Sequence, residues 1–404
     1  MIPALLAMTL IRPRPIPASP VERLVANAWR EVETQQPIDK QEQKHRDDIK
    51  RDREVGAKYV IEVEKDLKVV PDKDLNARIE KIGRELADVA NITHADALWG
   101  DKRMNTFDYV FKIVEDKEHP EEVNAFSLPG GFIYVYRGLI DFAESDDELA
   151  GVLSHEIAHA AFRHVATLQS EQAKMQKIEI PLIIAMVLAK GTEALPGVLS
   201  GASLLSQAYT SGWSVRAEEA ADYGGFQYML KSKYDPTGIL TFMERLAMKE
   251  VGDPRYAHLG IFQTHPPGRE RAESLLRYMK AANVPIRRSR VASSFRAEAK
   301  PADDGTVAVS FGGKPLVSFA GNDALTRADA AVRRLNNFFD SVPEMYEVRS
   351  GDDGNILGRR QELLALTQDD AAAAKTSMDE LQKATLTRIR GALFKIGYRV
   401  WEVR

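Results

Sequence analysis

The sequence predicts an α+β protein, mainly helical, with a small sheet beside one central helix and a second, smaller α+β unit at its C-terminal end. Three observations carry this. Apolar residues recur at helical spacing over 74–90 and again over 149–165, and 214–231 and 236–248 also read as helix. Two short strands rich in aromatic and β-branched residues, Tyr109–Val114 and Gly131–Tyr136, precede the central helix. After Asn283 the pattern changes to hairpin, helix and short strands.

Taken in order, residues 1–20 pair an apolar run, Ala4–Ile11, with a Pro-rich stretch ending at Pro20, and read as a leader or truncated signal segment. Residues 21–54 are heavily charged and read as an exposed helix entering the first domain, which extends to 284. Residues 74–90 place Leu75, Ile79, Ile82, Leu86 and Val89 on one helical face. Ser145 followed by Glu148 is a capping-box pattern, and Leu149, Val152, Leu153, Ile157, Ala161 and Val165 continue the apolar face behind it. Residues 214–231 and 236–248 are further helices. Residues 285–304, charged and punctuated by Pro and Gly, read as a linker. The module 305–404 begins with a hairpin around Gly312-Gly313, continues with a helix near 327–339 and short strands to Leu366, and closes with a helix at 378–396.

Composition narrows the chemistry. The 404 residues contain no cysteine, so disulfides, thiol catalysis and thiolate metal ligands are excluded; a metal can be held only by His, Asp or Glu. The net charge of -4 and the lack of a basic stripe argue against a nucleic-acid partner. The most apolar stretch, 178–189, is broken by Glu179 and Pro181. As a helix it would span about 18 Å, against a hydrocarbon core of about 30 Å.

Within the capped helix stands His155-Glu156-Ile157-Ala158-His159. Imidazoles four residues apart on a helix can reach one ion, and the intervening Glu can accept a proton from water at that ion, the chemistry of a zinc peptidase. Downstream, Glu218 and Asp222 share a helix face. They are either a solvated charged face or the completion of a His2Glu site, with Asp222 taking the second N–H of an imidazole; the preceding HExxH favours the latter. His164, nine residues from His155, falls on the opposite side of a continuous helix, so it and Arg163 read as structural.

Four blocks in series, NAFSLPGGFIYVYRGLI (124–140), ELAGVLSHEIAHAAFRH (148–164), EEAAD (218–222) and THPPGRERAESL (264–275), resemble the gluzincin-type peptidases that include the BepA-like periplasmic, HtpX-like membrane and CaaX prenyl proteases. The resemblance implies a zincin-like metallopeptidase domain over 21–284 with one zinc per chain. Its ligands would be His155, His159 and Glu218, with Glu156 as base and Asp222 behind the ligands. Ala220 stands where the family's acidic block usually has a second Glu, and Glu219 is the competing ligand if the register slips by one. Asn124 and Ala125 would border a cleft that takes extended substrate by strand addition. His265 would stabilise an oxyanion, or occupy the metal's open position and hold the enzyme latent. In relatives the region matching 178–205 is variously a lid, a membrane-facing loop or true spans; here it reads as a lid or peripheral membrane contact. The C-terminal module resembles small extracytoplasmic modules attached to bacterial membrane proteins, which implies substrate selection or docking. Together these imply a zinc metalloendopeptidase acting on misfolded or stalled proteins in the bacterial periplasm or cell envelope, a cytoplasmic site not being excluded by sequence. The alternative is an envelope chaperone or assembly factor with a latent zinc site.

Overall fold

The computed structural model describes residues 39–175, 213–252 and 269–396. The leader read at 1–20, the apolar stretch 178–205 and His265 lie outside them. Two compact units are separated, Met1–Asp48 and Ile49–Arg404. Of the first, the described part is the opening of helix α1 (Lys40–Asp66), where Glu42 and Arg46 pair one turn apart.

In the second unit a four-stranded sheet, β1 (Lys68–Val69), β2 (Val110–Glu115), β3 (Ala125–Leu128) and β4 (Phe132–Tyr136), has the order β1-β2-β4-β3. β2 and β4 are parallel, and β3 pairs antiparallel with β4 at the end of the sheet. Strand alternation sorts the side chains to two faces. Phe111, Ile113, Ala125, Ile133 and Val135 join the main core, while Val114, Phe126, Leu128, Tyr134 and Tyr136 pack with Val63 and Leu67 from the α1 region. The β3–β4 turn is made by Gly130 and Gly131, both at positive φ, where a β-carbon would strike the Arg53 backbone and the Phe107 side chain respectively.

Helices α2 (Lys73–Ile92), α3 (Arg137–Phe142), α4 (Asp146–Ala161), α5 (His164–Met175), α6 (Trp213–Leu230), α7 (Thr237–Gly252) and α8 (Arg269–Ala281) complete this half. α4 lies at its centre, with nearly every residue from Glu148 to Ala161 buried. The amphipathic face read from 74–90 is the face α2 buries: Ile79, Ile82 and Leu86 are fully enclosed. The N-terminus of α4 keeps half of the expected capping box. Ser145 Oγ accepts from the Glu148 N–H, but the Glu148 carboxylate accepts from the Glu144 N–H and from Arg245 instead of returning to Ser145. A buried carboxylate gains more from a guanidinium than from a second cap bond.

Residues 285–304 differ from the expected linker. They form α9 (Arg288–Val291), a 3-10 turn (Ser293–Phe295) and β5 (Ala297–Pro301). Val291, Ala292 and Phe295 are buried, and Arg288 is enclosed against Glu244. Charge suggested solvation, but this arginine has a carboxylate to meet. β5 then pairs with β6 (Val307–Phe311), which pairs with β7 (Lys314–Phe319) through the Gly312-Gly313 turn. α10 (Ala324–Asp340), a second antiparallel sheet of β8 (Val348–Ser350), β9 (Asn355–Gly358) and β10 (Gln361–Ala365), α11 (Gln368–Ala373) and α12 (Met378–Ile396) close the chain around a second core. The protein is α+β throughout. Among the described residues no helix is long and apolar enough to cross a membrane.

Candidate active site

α4 and α6 build the site because their backbones come unusually close. Glu218, Asp222 and Gly225 are spaced four and three apart, so they share one face of α6. A β-carbon at Gly225 would stand 3.0 Å from the His155 backbone nitrogen, and one at Gly224 would strike the Phe162 ring. The glycines let α6 settle against α4, and this brings both carboxylates onto the imidazoles.

His155 Nε2 and His159 Nε2 are 3.0 Å apart. Glu218 reaches both, with Oε2 at 3.4 Å from His155 Nε2 and Oε1 at 3.3 Å from His159 Nε2. Ligands at about 2 Å from a tetrahedral ion are separated by about 3.3 Å, so this triangle has the dimensions of three corners of a zinc-type site. The Nδ1 atoms face outward. His155 Nδ1 lies 2.9 Å from Asp222 Oδ1, and His159 Nδ1 lies 2.9 Å from His164 Nδ1. With the protons on Nδ1, both Nε2 lone pairs point inward, an arrangement suited to a bound cation. Among the described residues, His155, His159 and Glu218 are the group able to share one metal ion.

Electrostatics agree with the donor set. Burial pulls His155 down, but Asp222 and Glu218 outweigh it and push it up to about 9, so the pocket favours positive charge. Burial lowers His159, with Glu218 opposing. Burial would raise Asp222, yet the adjacent Arg271 holds it below the usual carboxylate range. Arg271, on α8, donates to both oxygens of Asp222 at 2.7 and 2.8 Å and lies 3.0 Å from Glu218. Burial opposes its charge, but Asp222, Glu218 and Glu156 together raise its pKa further. Glu156 is buried beside His155 on α4. The competing carboxylate Glu219 is exposed, with Tyr278 Oη at 3.4 Å, so the register that places Glu218 inward is the one formed.

Asn124 and Ala125 stand at the start of β3, both side chains buried, and the Asn124 carbonyl accepts from the Tyr136 N–H. His265 lies outside the described residues. Two contributors have no role in the sequence reading, Arg271 and the Gly224-Gly225 pair, and His164 reads there only as structural. Adjacent glycines inside a helix were a usable signal of close packing. Arg271 sat unremarked within a recognised block.

Residues 73–279, half of the chain, match the model of peptidase family M48. The chain belongs to that family. Among similar proteins, it is 26% identical over 217 residues to the mitochondrial metalloendopeptidase OMA1 of Saccharomyces cerevisiae, covering 53% of this chain and 58% of that protein. It is 26% identical over 226 residues to the beta-barrel assembly-enhancing protease of Escherichia coli K12, covering 54% and 42%. To the metalloprotease LoiP of the same strain it is 29% identical over 167 residues, covering 41% and 62%. The chain thus spans about half the length of the curated relatives it matches.

Proposed function

We propose that the chain is a zinc-dependent metalloendopeptidase in which His155, His159 and Glu218 hold one zinc ion and Glu156 is the general base. The observation that carries the reading is the triangle of two Nε2 atoms and one carboxylate, with a second buried carboxylate adjoining it on the same helix. Zinc, when bound, lowers the pKa of water and polarises the scissile carbonyl. Glu156 takes a proton as the water oxygen attacks the carbonyl carbon. It then returns that proton to the amine as the C–N bond breaks. Asp222 accepts the His155 Nδ1–H and keeps the Nε2 lone pair aimed inward, while Arg271 holds Asp222 ionised.

The substrate is an extended segment of a misfolded or stalled protein. β3 ends the sheet and packs beside α4, which supports strand addition near Asn124 and Ala125. The bacterial relative named for β-barrel assembly supports a place in envelope protein quality control. His265 is proposed to act on the oxyanion or to gate the metal, and 178–205 to contact the membrane peripherally.

The test is casein cleavage by the purified chain and by Glu156→Gln. The variant should keep its zinc and lose roughly 10²–10⁴-fold in kcat. Unchanged turnover would remove the peptidase reading. Full zinc retention with no cleavage by the parent chain, even after His265→Ala, would favour the chaperone instead.

A further inference from the structure

We infer that His164 is a positioning residue for the metal site: it accepts the Nδ1–H of His159 and so holds that ligand's Nε2 toward the ion. This rests on the proposed metal-binding role of His155, His159 and Glu218. A histidine that ligates through Nε2 carries its proton on Nδ1, and that N–H requires an acceptor, usually a carboxylate or a carbonyl. Here the atom 2.9 Å from His159 Nδ1 is another imidazole nitrogen, His164 Nδ1. Two N–H groups cannot face each other at that distance, so His164 carries its proton on Nε2. That nitrogen lies 3.3 Å from the Trp99 carbonyl oxygen. The chain of bonds closes: Trp99 C=O accepts from His164 Nε2–H, and His164 Nδ1 accepts from His159 Nδ1–H.

On a continuous helix this contact is impossible, because residues five apart point about 140° apart. The chain bends to make it. α4 ends at Ala161, Arg163 takes a left-handed conformation at φ 50°, and helix resumes at His164. A non-glycine residue rarely adopts that conformation without support. Support comes from the Arg163 guanidinium, which binds both oxygens of Asp52 at 2.5 and 3.0 Å and Asp101 at 2.9 Å. Residues 99–105 wrap the bend. The Asp101 N–H donates to the Phe162 carbonyl and Asn105 Nδ2 to the Ala161 carbonyl, each at 2.7 Å. A β-carbon at Gly100 would collide with the Phe162 carbonyl and the His164 ring. His164 itself is 2% exposed, with the Trp99 ring beside it. A histidine serving only to fill space would need neither lone pair nor proton so placed.

The experiment measures zinc affinity of the full chain by competition with a chromogenic chelator, with melting of the metal-free proteins alongside. His164→Phe keeps the ring but removes the acceptor, and should bind zinc about 10–100-fold more weakly. His164→Asn places Oδ1 near the lost Nδ1 and should recover most of that loss, although it fills less space than Phe. Phe within twofold of the parent, or Asn as weak as Phe, overturns the inference. If His164→Phe does not fold, ring-nitrogen NMR of the zinc-loaded parent decides. His164 protonated at Nε2 and His159 at Nδ1 is expected, and a His164 protonated at Nδ1 overturns it. Absence of zinc binding by the parent chain would instead remove the metal-site reading beneath it.

Discussion

Arg271 shows how much of the site depends on a residue that touches no reacting atom. Its guanidinium is the counter-charge for Asp222, which is fully enclosed. Replacing it by Met takes the guanidinium from that carboxylate and leaves it facing the His155 imidazole, and breaking such a buried pair costs about 3–5 kcal/mol. Denaturant unfolding of Arg271→Met should show a loss of that size. A loss below about 1 kcal/mol, the worth of an exposed pair, would mean water reaches Asp222. Arg271→Lys should recover less than half of the loss, because one ammonium cannot span both oxygens. At this scale the sequence exposed what lies within a helical turn. His155 with His159, and Glu218 with Asp222, are fixed by spacing alone. Arg271 and His164 were hidden because one arrives from another helix and the other reaches its partner through a bend that periodicity cannot register.

Among the elements, α4 carries an ionisable group buried at its start. Burial raises Glu148 to about 6, and Arg245, although bonded to it, offsets only part of that. A carboxyl whose folded pKa exceeds its unfolded value of about 4.5 stabilises the fold fully below that pH, and the contribution is lost as pH rises through about 6. The change is about 2 kcal/mol. Glu148→Gln should therefore flatten the pH dependence of the melting temperature between pH 4.5 and 6; parallel curves for parent and variant would show that Glu148 does not titrate in that window. Packing between elements supplies a second expectation. Gly225→Ala forces α6 away from His155 and should destabilise by about 1–3 kcal/mol while weakening binding of the proposed zinc. Affinity equal to the parent's would show that the helix can give without moving Glu218. Most elements were legible here, since amphipathic spacing predicts the α2 face and the Gly-Gly turn predicts the β6–β7 hairpin. β5 was not. Its Ala-Glu-Ala-Lys-Pro sequence alternates, but with only alanine at the apolar positions, too weak a signal until pairing with β6 makes it a strand.

For the molecule as a whole, the two cores meet through the Met248 side chain of α7 and through polar contacts. Arg288 binds Glu244 through a bidentate pair, and Ser294 bonds Glu144 through both its N–H and its hydroxyl. Calorimetry of the parent should show both cores melting in one transition, and Glu244→Ala, which strands a buried Arg288, should split it into two. A parent already melting in two steps would mean that the junction does not couple them. The bend at Arg163 has a bearing on the life of the chain as well. In order of synthesis, Asp52, Trp99 and Asp101 precede the His-Glu-x-x-His helix, so the partners of the bend behind His159 are already made when that helix emerges. Glu218 and Asp222 follow roughly sixty residues later, and Arg271 comes last. A ribosome-bound chain stopped short of them holds two imidazoles and no finished cage. Under the proposed function, peptide-bond cleavage would begin only after the ribosome has passed Arg271, a delay that would spare the nascent polypeptide and its neighbours.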